Sequence, residues 1–586
     1  MSGLRARLPL VATSLLLALL VTVAFCEQQV HRNFASYHTA PSNGILMPRI
    51  GCPAILTPGS SLEVYFDPGL RGEKDWEVRL RSPFMDQEAK IVSLVPSEFQ
   101  SIWKLSAEVP KEAKRDLYDL VIYSRQETAV SFVERNSVFI VGESFPDTLR
   151  VGVITDPHYG VGTYYAHTTK VLRRTLDALS ALDIDLIVGT GDIVDATADE
   201  LPFSSVASEF SRLRVPILLA PGNNDQYAID KGFRHWEKHL APEYYSVKFG
   251  AWYFLVLNSG NGLIDENQLL WAEKDLSAQP KEVFKTLVLH HPYWNEPSPS
   301  LSSRLPNLIK THGIGLVLMG HTHRDEVRQD LALNIVSVAL SDEGAGYRLL
   351  NLTRTRVEYD QRSWAYDSLL VNYLQPNDYT SAGFATHVSN KLATDSRLKL
   401  TFFLRSQLAG ATPKVEGAEV SRVSVAKDPQ GKASAEVSLK LAPKTEKIVK
   451  VYFEEDKTPP SVSCSCRVEG TIVFVSPSAS DIGFGVGKVT VYYSDDNSTW
   501  TIVPVRVIQR IEQYGFTATK ATVFLKIEAE DGAGLKATKY LAVQVPDLQP
   551  KKTEAPSATV ELAIPVALIV ALILGLILLR RRKTPR

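Results

Sequence analysis

At 586 residues the chain is too long for one hydrophobic core, so several domains are expected. Its 45% hydrophobic and 22% charged residues are an ordinary globular balance. With 64 basic against 65 acidic side chains the net charge is -1, which excludes a global electrostatic case for nucleic acid as a partner.

Arg5 and Arg7 precede an apolar run over 8–25, which reads as a secretory signal or an uncleaved anchor, and 1–26 is taken as the signal peptide. From 28 to 146, β-rich runs at 61–66, 76–80, 89–95, 102–109, 118–123 and 137–141 alternate with turn residues. No helical periodicity competes, and a small immunoglobulin- or fibronectin-like sandwich is expected.

At Leu149 the texture changes to alternating strands and helices, which continue to about 366. Over 165–182, Val171, Leu172, Leu176, Leu179 and Leu182 fall at helical spacing, which predicts a crossover between parallel strands. Further helices are expected over 200–213 and 266–276, and paired strands over 244–249 and 251–258, while the run 303–311 precedes the strand carrying the last cluster. The β-rich runs 325–330, 333–339 and 347–359 are expected to close a second sheet. A two-sheet α/β sandwich with outer helices fits this order.

Beyond Asp367 no catalytic motif is present. A second β-rich domain is expected over 380–455, a hinge at 456–460, and another fibronectin- or immunoglobulin-like sandwich over 458–546. Cys464 and Cys466 alternate onto one strand face, and no second pair completes a zinc site. Residues 547–561 form a polar spacer leading to the apolar run 562–579, long enough for a transmembrane helix. Arg580, Arg581, Arg582 and Lys583 then place the tail 580–586 in the cytoplasm. The body would lie outside the cytoplasm on a single-pass anchor, with its β-domains free to meet cell-surface ligands.

Between 149 and 323 five ligand clusters follow five apolar, β-rich runs. They are Asp156-Pro157-His158 after 149–155, Gly191-Asp192-Ile193-Val194-Asp195 after 184–190, and Gly222-Asn223-Asn224-Asp225 after 215–220. His290-His291-Pro292 follows 286–289, and Gly320-His321-Thr322-His323 follows 314–319. In α/β sheets ligands gather beyond the carboxyl ends of strands, so five such clusters read as one metal site. Carboxylate, amide and imidazole ligands without thiolate suit Mn, Fe or Zn. The donors suffice for two divalent ions, with Asp192 as the natural bridge. Two such ions clamp a phosphoryl group and lower the pKa of a water between them.

The ordered set Asp-x-His, Gly-Asp-x-x-Asp, Gly-Asn-x-Asp, His-x-Pro and Gly-His-x-His resembles the calcineurin-like metallophosphoesterase superfamily, over about 149–359. The resemblance implies Asp156, His158, Asp192 and His323 on one metal, and Asp192, Asn223, His290 and His321 on the other. It implies that Asp195 and Asp225 orient ligands through hydrogen bonds. Asp192, Asn224 and Asp225 are the candidate catalytic residues within these motifs, and His291 is a further candidate, either a phosphate contact or proton donor or a structural histidine.

Two departures from the family pattern stand out. Most members carry a His at the position of Asn224, and an amide can donate a hydrogen bond but cannot deliver a proton. Purple acid phosphatases carry a Tyr ligand where this chain has Asp195, so no phenolate–iron chromophore is expected. The expected protein is multidomain: an α/β two-sheet metallophosphoesterase sandwich flanked by all-β immunoglobulin/fibronectin-like domains, with a C-terminal transmembrane helix. Its expected activity is hydrolysis of small phosphate mono- or diesters by a two-metal hydroxide mechanism. A cell-surface binding protein with a slow or inactive metal-binding domain is the alternative class.

Overall fold

The computed structural model describes residues 30–31, 41, 43–68, 75–97, 102–126, 131–160, 165–405, 411–425, 431–508 and 511–549. The expected signal peptide, transmembrane run and basic tail lie outside the described residues. Among the described residues no helix is long and apolar enough to cross a membrane.

The N-terminal module is all β. In Ser61–Phe66 the side chains of Leu62, Val64 and Phe66 point into the core while Ser61, Glu63 and Tyr65 point away, the period of a half-buried strand. The long strand Met85–Pro96 serves two halves of the module. Its residues up to Ala89 pair with Trp76–Ser82, and from Lys90 onward it pairs with Trp103–Glu108, with a register shift between Ile91 and Ser93. That irregularity lets one strand turn a corner, so both halves close over a core of Leu62, Phe66, Trp76, Leu105, Leu120 and Ile122.

The central domain has two sheets. In chain order its elements are β1 (Leu149–Ile154), α1 (Tyr165–Ala181), β2 (Leu186–Gly189), α2 (Leu201–Phe210), β3 (Ile217–Leu219), α3 (Arg234–His239), β4 (Tyr245–Phe249) and β5 (Trp252–Val256). They continue as α4 (Glu266–Ser277), β6 (Phe284–Val288), α5 (Leu305–His312), β7 (Ile314–Met319), β8 (Glu326–Gln329), β9 (Leu333–Val336), β10 (Gly346–Leu352), β11 (Val357–Tyr359) and β12 (Trp364–Ala365). One sheet runs β3-β2-β1-β10-β11, with β12 also on β10; the other runs β4-β5-β6-β7-β9-β8, with Val30–His31 on the free edge of β4. Within them β1, β2 and β3 are mutually parallel, as are β5, β6, β7 and β9.

Both faces of these parallel strands are covered, which is why they read as largely apolar runs, interrupted only at Arg150, Lys285, Thr286 and Asn334. Along β5, Trp252, Phe254 and Val256 enter the core between the sheets, while Tyr253 and Leu255 meet Leu269 and Leu276 of α4 and Ile309 of α5. The expected helices over 165–182, 200–213 and 266–276 correspond to α1, α2 and α4, and the run 303–311, given no element from sequence, contributes most of α5. The short α3 was not anticipated. The three runs expected to close a second sheet together are divided instead. Strands β8 and β9 extend the sheet of β7, whereas β10 pairs antiparallel with β1. Local periodicity marks a strand but does not specify its distant partner, so this division was not readable.

The third module begins with Leu369–Tyr373, paired to Gly383–Asn390, so its sheet includes residues ahead of the expected start at 380. It packs on α1, and Leu172, Leu176 and Leu179 share one core with Val371, Leu398, Leu400 and Phe402. The fourth module starts at Ser461–Glu469 and holds two four-stranded sheets over a core including Val475, Val491, Leu525 and Ile527. The thiols of Cys464 and Cys466 lie 3.9 Å apart on its first strand.

Candidate metal centre

Each expected cluster occupies the loop beyond the carboxyl end of its strand. Strand β1 leads to Asp156 and His158, β2 to Asp192, β3 to Asn223, β6 to His290, and β7 to His321 and His323. Since β1, β2 and β3 belong to one sheet and β6 and β7 to the other, the clusters meet across the seam between the sheets.

The loops are locally strained. Asp156, His158, Asp192, His321 and His323 have φ of 49°, 45°, 50°, 71° and 57°, a left-handed conformation that costs non-glycine residues roughly 1–3 kcal/mol each. Cross-loop hydrogen bonds hold it: the Asp156 N–H donates to Gly191 O (3.0 Å), that of His158 to Asp192 O (3.1 Å), and that of Gly320 to His290 O (3.0 Å). Two glycines are required for different reasons. Gly191 has φ +103°, whereas a Cβ on Gly222 would lie 2.2 Å from Asp192 Oδ1.

Two groups of ligand atoms converge. Asp156, His158 and His323 form one, Asp192, His290 and His321 the other, each with its atoms within 4.8 Å of one another. They adjoin: Asp192 Oδ2 lies 3.3 Å from His290 Nε2 and 3.7 Å from His158 Nε2. Asp156 Oδ1 lies 3.3 Å from His323 Nε2 and 4.0 Å from His290 Nε2. Asn223 Oδ1 joins them, 3.1 Å from His290 Nε2.

Three imidazoles are fixed from behind. The Nδ1 of His290 meets Thr190 O at 2.9 Å, that of His323 meets Asp342 Oδ2 at 3.0 Å, and that of His158 meets Asp195 Oδ1 at 3.4 Å. These partners leave Nε2 facing the centre. Asp342 was missed from sequence, since a lone Asp in a loop carries no motif. Ser259 was also missed, although it follows β5 and so satisfies the same strand-end rule. Its hydroxyl accepts from the His291 N–H (3.1 Å) and lies 3.3 Å from His291 Nδ1.

The residues proposed from sequence for catalysis occupy different settings. Asn224 donates from its backbone N–H to Asp192 Oδ1 and from Nδ2 to Asp192 Oδ2, both at 2.7 Å. Asp225 is fully buried behind the ligands, its carboxylate accepting from the backbone of Val194 (2.9 Å) and Gly222 (2.8 Å). It thus positions two ligand loops rather than facing a substrate. His291 packs on His321 with ring centroids 4.1 Å apart, and these two imidazoles form a further ligand-like group with Glu296.

The electrostatics describe a centre built for positive charge. Burial opposes protonation of His290, yet Asp192 and Asp156 outweigh it and raise its pKa to about 9. The Asp156 carboxylate beside its Nε2 raises His323 to about 9. Burial, reinforced by the charges of His290 and His321, holds His291 at about 3. Burial raises Asp225, and the neighbouring Asp192 charge adds to it. The residues fit divalent cations: Asp156 Oδ1 and His158 Nε2 are buried without any hydrogen-bond partner, so both point lone pairs into one polar centre.

Residues 149–325 match the family model described as calcineurin-like phosphoesterase. Among solved structures the chain is similar to purple acid phosphatase PPD1 from yellow lupin (Lupinus luteus) seeds, at 13% identity over 52% of this chain and 71% of that one, with a TM-score of 0.36. It is also similar to TT1561 of Thermus thermophilus, at 18% identity over 36% and 98% of the two chains, with a TM-score of 0.25. For Vps29 of Chaetomium thermophilum the identity is 11%, over 50% and 98%, with a TM-score of 0.18. No curated protein matches the chain. Over residues 149–325, about a third of its length, the chain is thus similar to the calcineurin-like phosphoesterase family.

Proposed function

We propose that the central domain hydrolyses small phosphate mono- or diesters at a binuclear centre. Asp156, His158, Asp192 and His323 would hold one divalent cation, and Asp192, Asn223, His290 and His321 the other, with Mn, Fe or Zn suited to the donors. The observation that carries this reading is the pair of adjoining ligand groups around Asp192, with the unpartnered buried atoms Asp156 Oδ1 and His158 Nε2. Bound there, the cations would neutralise phosphoryl charge and lower the pKa of an attacking water. The protein's part is positioning. Thr190, Asp195 and Asp342 fix the imidazoles, Asp225 ties the loops after β2 and β3, and Asn224 holds Asp192. Asn224 carries no ionisable proton, so leaving groups that depart without acid assistance would be favoured.

The placement we propose is outside the cytoplasm, with 562–579 as a single-pass anchor; it rests on the apolar runs at both ends of the sequence.

The test is Mn²⁺-dependent release of p-nitrophenol from bis- and mono-p-nitrophenyl phosphate by the full chain and by Asp192→Ala, also on intact cells. Release by the wild type and its loss in the variant are expected, with the charged substrates reaching the enzyme on unbroken cells. Release that is absent, or equal in both proteins, would favour the binding-protein alternative. Release that needs lysed cells would contradict the placement.

A further inference from the structure

A second group of carboxylates lies outside the phosphoesterase domain, at the joint between the third and fourth modules. Asp456 is in the connection between strands Thr445–Tyr452 and Ser461–Glu469, Asp481 directly follows Ile472–Ser480, and Asp531 ends Thr522–Asp531. The sequence marked 456–460 as a hinge and gave Asp456 no chemistry. In the fold the three side chains place carboxylate oxygens within 4.8 Å of one another.

Proximity of acids alone proves little, because exposed carboxylates are cheap to hydrate. Here one of them is not exposed. Asp531 is 4% accessible; its Oδ1 accepts from the N–H groups of Ala533 (2.9 Å) and Leu535 (2.8 Å), while its buried Oδ2 accepts no hydrogen bond. The other two are held in place by backbone. Asp456 accepts from Thr458 and Phe484, both at 3.0 Å, and Asp481 from Gly485 at 2.8 Å. Burial raises the Asp481 carboxyl, and the charges of Asp456 and Asp531 raise it further. A buried, unpartnered carboxylate oxygen beside two more carboxylates is costly unless a cation sits among them.

We propose that Asp456, Asp481 and Asp531 bind a calcium ion that fastens the third module to the fourth. The donors are hard oxygens, without imidazole or thiolate, which suits Ca²⁺ and disfavours Zn²⁺. Ca²⁺ takes roughly 6–8 oxygens at flexible geometry, so backbone carbonyls and waters can complete three carboxylates, whereas Mg²⁺ demands a tighter octahedron. The surroundings bind the modules at this same place. Gln375 donates from Nε2 to Asp481 O (2.7 Å) and Gly483 O (3.3 Å), the Ala385 N–H donates to Phe484 O (3.2 Å), and Ala385, Tyr452 and Phe484 form a small core. An ion held by the connection and by two loops of the fourth module would remove the freedom of the hinge.

The test is calorimetric titration of the full chain with CaCl₂ after saturation with Mn²⁺, which occupies the phosphoesterase centre first. One Ca²⁺ per chain is expected in the wild type, with Mg²⁺ at least ~10-fold weaker. Asp531→Asn should lose the step; it keeps the Oδ1 acceptor, so the turn over 531–535 should persist. Asp481→Asn, at a less buried position, gives an independent variant and should weaken binding at least ~10-fold, as a lost charged ligand does. Ca²⁺ should also slow proteolysis at 453–460 in the wild type and not in the variants. No Ca²⁺ step, or equal affinity in the wild type and whichever variants fold, would overturn the proposal.

Discussion

Asn224 shows how one side chain sets the reach of the centre. Its amide is committed to Asp192 Oδ2 at 2.7 Å, where it aligns a ligand. An imidazole at this position could instead share a proton with the leaving-group oxygen. We therefore expect Asn224→His to raise turnover on monoesters with poor leaving groups, by up to ~10²-fold, and to change p-nitrophenyl substrates less. Steady-state rates on alkyl and p-nitrophenyl phosphates check this, and unchanged or lower alkyl turnover would count against it. The ligands themselves were legible in the sequence because Asp, His and Asn stand in short motifs behind apolar runs. Asp342 and Ser259 were not, because a supporting residue needs only proximity in space, and no spacing announces it.

At the scale of elements, strand and helix identities followed from periodicity, while their partners did not. The five ligand-bearing strands were readable since burial on both faces makes them largely apolar. Nothing local assigns β10 to β1 and β9 to β7. The docking of the N-terminal module on α2 was equally hidden. Asn136, at φ 50°, donates from Nδ2 to the carbonyls of Phe210 (3.2 Å), Ser211 (2.9 Å) and Leu213 (3.0 Å) and so satisfies the end of that helix from another domain. Asn136→Ala leaves these carbonyls without that donor and should destabilise the protein by about 1–3 kcal/mol, read as a lower urea midpoint. A midpoint equal to that of the wild type would show that water replaces the amide.

Across the whole molecule, the β-modules are parts of one assembly with the phosphoesterase domain. Asp116 of the N-terminal module pairs with Arg214 of the central domain and with Arg422 of the third module, the latter at 3.3 Å. Arg422 also stacks on Phe84, its guanidinium 3.7 Å from the ring centroid. Asp177 of α1 lies near this junction, and burial, opposed by Arg212 and Arg173, raises its carboxyl from 3.8 to about 6. A carboxyl whose folded pKa is raised binds more protons in the native state, so its contribution to stability falls as pH rises from about 4 to about 6. Asp177→Asn should therefore raise the thermal midpoint relative to the wild type at pH 7.5 and lose that advantage near pH 3.5. An advantage of equal size at both pH values would show that the carboxyl is not perturbed.

The central claim is that two cations sit side by side across the seam of the two sheets. Anomalous diffraction from crystals of the Mn²⁺-loaded protein tests it most directly. Two peaks flanking Asp192 are expected, one toward Asp156, His158 and His323 and one toward His290, His321 and Asn223. Data that show no metal at these residues, or a single ion away from Asp192, would contradict the account.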